Sequence, residues 1–156
     1  MRKMKRIISL WLAVILVITG VDLPFGILEI QAAANVKRYT VLVLDTSDTA
    51  EFTYNNETIY TADTALSDVK SAAGQLIRDI SATGGDNYVA VISYKDYATT
   101  VSGFSKEYSS LINKINNLSA SSTTRDISSG LELANSMLNH ADSENVIKNV
   151  VLFSTG

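Results

Sequence analysis

Val41-Leu42-Val43-Leu44 runs without a break into Asp45-Thr46-Ser47-Asp48-Thr49, and this junction constrains the fold more than any other stretch of the chain. Four consecutive apolar residues read as a strand buried on both faces, the kind found in the middle of a parallel sheet. The run then turns abruptly polar, with Asp45, Ser47 and Thr49 at alternate positions. In an open α/β sheet, ligands bind where loops leave the carboxyl ends of the strands. These three side chains are expected at such an edge, offering oxygen ligands from one short loop. Hard oxygens suit Mg²⁺ or Mn²⁺ better than zinc or copper.

The 156 residues fit one domain, and the first 34 are not expected to belong to it. Arg2, Lys3, Lys5 and Arg6 precede an apolar run from Ile7 to Gly20, and Gln31-Ala32-Ala33-Ala34 supplies small residues further on. This order of charged, apolar and small residues is that of a secretory signal, with cleavage expected after Ala34. The rival reading is an uncleaved anchor. A membrane-spanning helix needs roughly 20 apolar residues, and this run is shorter. The expectation is therefore a secreted or cell-surface domain over residues 35–156, with no membrane insertion after cleavage.

Residues 1–34 hold four of the 13 basic and two of the 16 acidic residues, so the remaining chain carries a formal charge of −5. An acidic surface without basic runs argues against nucleic acid or anionic lipid as a partner. There is no cysteine, so no disulfide holds the fold in a compartment that would permit one.

Beyond the first strand, residues 46–62 show no helical period, and Asn55-Asn56 marks a turn. From Asp63, the spacing of Leu66, Val69, Ala73, Leu76, Ile77 and Ile80 predicts an amphipathic helix, ended by Gly84-Gly85. Tyr88 to Tyr94 reads as a second buried strand, and Ala98 to Phe104 as an alternating edge strand. Ser105 is the expected cap of a helix carrying Tyr108, Leu111, Ile112, Ile115 and Leu118. A hydroxyl-rich loop, 119–125, leads to a helix with Ile127, Leu131, Ala134 and Leu138 on its apolar face, and Val146 to Phe153 is the last strand. Strands alternating with helices predict an α/β fold, a Rossmann-like, doubly wound, mostly parallel sheet. The strand ending at Leu44 should be central, with the strand ending at Phe153 beside it.

Three elements in this order resemble the von Willebrand factor type A domain: the strand running into Asp45-x-Ser47-x-Thr49, the loop at 121–126 feeding Gly130-Leu131-Glu132-Leu133-Ala134, and Val150 to Gly156. The resemblance spans residues 36–156. It implies a metal-ion-dependent adhesion site holding Mg²⁺ or Mn²⁺, at which a protein partner's Asp or Glu completes the coordination. Carried over, Asp45, Ser47 and Thr49 are the first-loop ligands and Thr124 the second-loop ligand. Thr123 competes for that place, because the spacing to Leu131 is one residue longer than the family pattern.

Two departures qualify the resemblance. Thr155 stands where the family places an aspartate, which removes an acidic group and implies weaker ion binding. The family fold also continues past the position of Gly156, so the sequence is expected to be a piece of a longer domain. Against the ion site stands an ordinary turn, since Asp and Ser hydrogen-bond their own backbone. Thr123, Thr124 or Asp126 could equally cap the following helix. His140, the one histidine, is expected at a helix end. A serine or cysteine hydrolase triad has little support. A phosphoryl transferase with Asp45 as nucleophile would lack an acid at Thr155.

The leading functional expectation is a non-enzymatic, exported binding module that engages an acidic partner side chain through the ion. The alternative is a structural or assembly domain whose site is degenerate and free of metal.

Overall fold

The computed structural model describes residues 36–47, 52–54, 57–60, 62–121, 124–141 and 144–154. The proposed signal segment, and Asp48, Thr49, Thr123 and Thr155, lie outside the described residues. Strand β1 (Lys37–Asp45) is followed by a small hairpin, β2 (Phe52–Tyr54) and β3 (Glu57–Tyr60), and by helix α1 (Ala62–Ala82). Next come β4 (Asn87–Tyr94), β5 (Ala98–Ser105), α2 (Tyr108–Asn116), α3 (Ile127–Asn139) and β6 (Val146–Phe153).

The main sheet has the order β5-β4-β1-β6. β1 pairs in parallel with both neighbours, with Leu44 opposite Ser93 on one side and Phe153 on the other. β5 runs antiparallel at one edge. The sheet is thus open, mixed and mostly parallel, with the apolar run at its centre as expected.

Why that run must be apolar throughout follows from the layers. Leu42 and Leu44, with Val89 and Val91 of β4, pack against Val69, Ala73 and Ile77 of α1 and against Leu111 and Ile115 of α2. Tyr39, Val41 and Val43, with Ala90, Ile92 and Tyr94, pack against Ala134 and Leu138 of α3. Alternate residues of a strand point to opposite faces, and here each face meets a helical layer. Fully burying one such side chain is worth about 1.5–3 kcal/mol, so a polar residue at any of these positions would forfeit a large share of a domain's net stability.

Three local readings need correction. The segment after the first strand contains the β2–β3 hairpin, with Tyr54 opposite Glu57; the Asn55-Asn56 stretch it brackets lies outside the described residues. Strands of three and four residues are too short to establish a period. Ser105 belongs to β5 and accepts the N–H of Glu107, while α2 starts at Tyr108 with no side-chain cap. On α3 the buried face is Gly130, Ala134 and Leu138, while Leu131 is 42% exposed. A hydrophobic period cannot see a glycine used for close approach. Gly130 lies so near β1 that an added Cβ would stand 2.9 Å from Val43 Cγ1 and 3.3 Å from the Tyr94 ring.

The helix ends behave as read. Gly84 and Gly85 both take positive φ at the end of α1, a conformation that costs glycine nothing. His140 sits at the end of α3, its Nδ1 2.7 Å from the Ser136 carbonyl oxygen.

Candidate functional site

Asp45 is the last residue of β1 and continues the alternation of Tyr39, Val41 and Val43. Its carboxylate therefore faces the α3 side, opposite Tyr94 in the β1–β4 register. The residue is buried. Oδ1 accepts the Ser47 N–H at 3.0 Å and the Ser47 hydroxyl at 2.6 Å. This is the Asx-type turn that Asp and Ser form with their own backbone, and it also gathers two of the proposed ligand residues at one point.

The second loop reaches the same point. α2 lies on one face of the sheet and α3 on the other, and the connection between them meets the sheet's carboxyl edge at Ser121 and at Asp126. Three bonds hold that passage down. The Ser121 N–H donates to the Thr46 carbonyl at 3.0 Å, Lys95 Nζ donates to Ser121 Oγ at 2.8 Å, and the Asp126 N–H donates to the Lys95 carbonyl. Thr46 is itself fixed, its N–H and hydroxyl both donating to the Tyr94 carbonyl at 2.9 and 3.1 Å. Of the capping alternatives, Asp126 serves, its carboxylate accepting the Ser129 N–H at 3.1 Å. Thr124 is exposed.

The residue delivered to Asp45 is Arg125. Its Nε lies 3.0 Å from Asp45 Oδ2 and 3.4 Å from Ser47 Oγ. The carboxylate side chain is 0% exposed and that of Arg125 21%. Sequence reasoning passed over this arginine. The available signal was one basic residue in an otherwise hydroxyl-rich loop, 78 positions from Ser47.

Beneath the pair, the buried Tyr94 hydroxyl makes no well-formed hydrogen bond among the described residues, although Ser154 and Asp45 lie close enough to act on it. Burial pushes its pKa up from the usual 10.0, and the nearby Asp45 charge adds to this, while Ser154 and Arg125 act the other way.

A hard dication takes several oxygen ligands, and its affinity rises with their charge. Among the described residues no cluster of three or more His, Cys, Asp or Glu could hold a metal ion. The Asp45 carboxylate has one oxygen engaged by Ser47 and the other by a guanidinium, and that of Asp126 caps α3. As arranged, Asp45 and Ser47 offer their oxygens to a cation that donates hydrogen bonds; the proposed ligands Thr49 and Thr123 lie outside the described residues.

Among solved structures, the chain is similar to the von Willebrand domain of the type V pili tip protein Mfa5 from Porphyromonas gingivalis, with 21% identity and a TM-score of 0.62, over 78% of this chain and 38% of that one. The PilB minor pilin from Streptococcus sanguinis matches at 18% identity and TM-score 0.60, over 75% and 29%. The SpRpn10 VWA domain matches at 16% and 0.58, over 78% and 61%. The chain spans less than two thirds of each of these three, and at such identities the likeness is one of fold. No curated protein gives a significant match. A family model described as the von Willebrand factor type A domain matches residues 40–156, from within β1 through every later element, and the chain belongs to that family.

Proposed function

We propose that the chain is a protein-binding module, secreted or displayed at the cell surface, that engages its partner at the carboxyl edge of the sheet. Family membership supports the protein-binding class, and the pilus tip protein and minor pilin among the similar structures support an extracellular setting. The observation that carries the choice of edge is the bonding of Ser121, Arg125 and Asp126 across the ends of β1 and β4, which gathers Asp45, Ser47, Lys95 and Arg125 at a switch point of the sheet.

In the ion-bridged form of this reading, a partner's Asp or Glu would complete the shell of a Mg²⁺ or Mn²⁺ held by Asp45, Ser47, Thr49 and Thr124 or Thr123. The pairing of Asp45 with Arg125 favours the other form, in which recognition needs no ion. The pairing also argues against Asp45 as a nucleophile, because a carboxylate engaged on both oxygens is a poor one.

The test is capture of the full chain on an array of extracellular proteins, with and without chelator. Lys95→Glu and Thr124→Arg should weaken a captured partner at least tenfold while both variants stay folded at the assay temperature. Asp79→Arg, on the outer face of α1, should change nothing. Equal losses from all three, or none from the edge pair, would refute the assignment of the edge.

A further inference from the structure

We infer that Arg125 is the resident cation of this site: its guanidinium takes the place of a divalent ion between the two loops and closes the Asp45–Ser47 turn to such an ion. The inference concerns the same edge as the binding proposal, but it requires no partner and can fail or succeed independently of it.

The buried Asp45 carboxylate needs a compensating charge, since an unpaired buried charge is strongly unfavourable. Arg125 supplies it at 3.0 Å from Oδ2, and the same Nε lies 3.4 Å from Ser47 Oγ. One cation thus reaches two of the residues that the family resemblance gives to the metal. Its approach is fixed by backbone rather than by side-chain reach alone. Ser121 is bonded to Thr46 ahead of it, and Asp126, directly after it, is bonded to Lys95 and caps α3. A guanidinium donates hydrogen bonds in a fixed fork, has no acceptor and does not lose its proton in proteins. It therefore serves Asp45 whatever the pH or divalent-ion concentration, and a dication brought to the same oxygens meets a like charge at close range.

The inference predicts a domain indifferent to chelators, and an ion site uncovered by removing one side chain. Thermal unfolding of the full chain, of Arg125→Gln and of Arg125→Gln/Asp45→Asn would be followed in chelator and across a Mn²⁺ titration. The wild type should melt at the same temperature throughout. Arg125→Gln should melt lower in chelator and recover with Mn²⁺, binding it at least tenfold more tightly than the wild type, and the double variant should lose that recovery.

If Arg125→Gln does not fold in chelator, refolding it in Mn²⁺ becomes the readout: recovery supports the inference and failure overturns it. Two further outcomes overturn it. One is Mn²⁺ stabilising the wild type as strongly as the variant, which would leave the ion-bridged form of binding standing. The other is a folded Arg125→Gln that ignores Mn²⁺, which would leave only the ion-free form.

Discussion

Gly74 and Gly130 lie within α1 and α3, and replacing each by alanine is the same chemical change with opposite expected sign. A helix-interior glycine costs about 0.8–1 kcal/mol relative to alanine. At Gly74 an added Cβ would lie 3.6 Å from Arg78 and 3.9 Å from Ile112, ordinary van der Waals distances. Gly74→Ala should therefore raise stability by about 0.8 kcal/mol. At Gly130 the same atom would stand 2.9 Å from Val43 Cγ1, inside the optimum of about 3.5–4.0 Å. Val43 is fully buried on the central strand, and a β-branched side chain has little rotamer freedom to yield. Overpacking a well-filled core costs about 1–3 kcal/mol. Set against the helix gain, Gly130→Ala should lose about 1 kcal/mol. The two variants should thus differ by about 2 kcal/mol in urea unfolding at constant m-value. A Gly130→Ala variant as stable as Gly74→Ala would show that α3 does not rest against β1 at the described distance, and would undo the packing account of the whole α3 face.

Other expectations follow from the site and its supports. Replacing Arg125 by leucine strands a buried carboxylate and should cost about 3 kcal/mol, and combining it with Asp45→Asn should recover more than half, measured as a double-mutant cycle in urea; a coupling below about 0.5 kcal/mol would mean the pair is ornamental. Asp126→Ala removes the α3 cap and should cost about 1 kcal/mol, read from the melting temperature. Tyr94→Phe deletes a buried hydroxyl that makes no well-formed hydrogen bond among the described residues and should be neutral or stabilising by up to about 1 kcal/mol. Because the folded pKa of Tyr94 is raised, its contribution is complete below about pH 10 and falls away as pH rises through the folded value. Tyr94→Phe should flatten the alkaline loss of stability in pH-dependent unfolding. Some loss should persist, because Lys106, raised by its hydrogen bond to Asp86, declines in the same direction.

The central strand was legible because burial on both faces leaves no polar position, and an unbroken apolar run has few other uses. α1 was legible for a related reason: one helical face meets one core, and Val69, Ala73 and Ile77 report it at regular steps. What escaped was of another kind. The β2–β3 hairpin is too short to carry a period. The buried face of α3 turns on Gly130, whose role is the absence of a side chain. Arg125 escaped because its partner is distant in sequence, and an arginine in a polar loop looks solvated until the fold brings a carboxylate to it. The turn at Asp45 and Ser47 was legible because local chemistry sets it. Their cationic partner was not, because topology sets it.

The strapped segment between α2 and α3 has a mechanical consequence. It is bonded to the ends of both β1 and β4, delivers Arg125 to Asp45, and one residue later becomes the cap of α3. Drawing Arg125 away therefore pulls on the neighbouring residue that caps α3, the helix packed on Val41, Val43 and Tyr94. A ligand that displaced Arg125 would thus act on the seating of α3, and linkage would make that coupling reciprocal. A load applied to α3 would then be felt at Asp45 as surely as a ligand at Asp45 would be felt by α3.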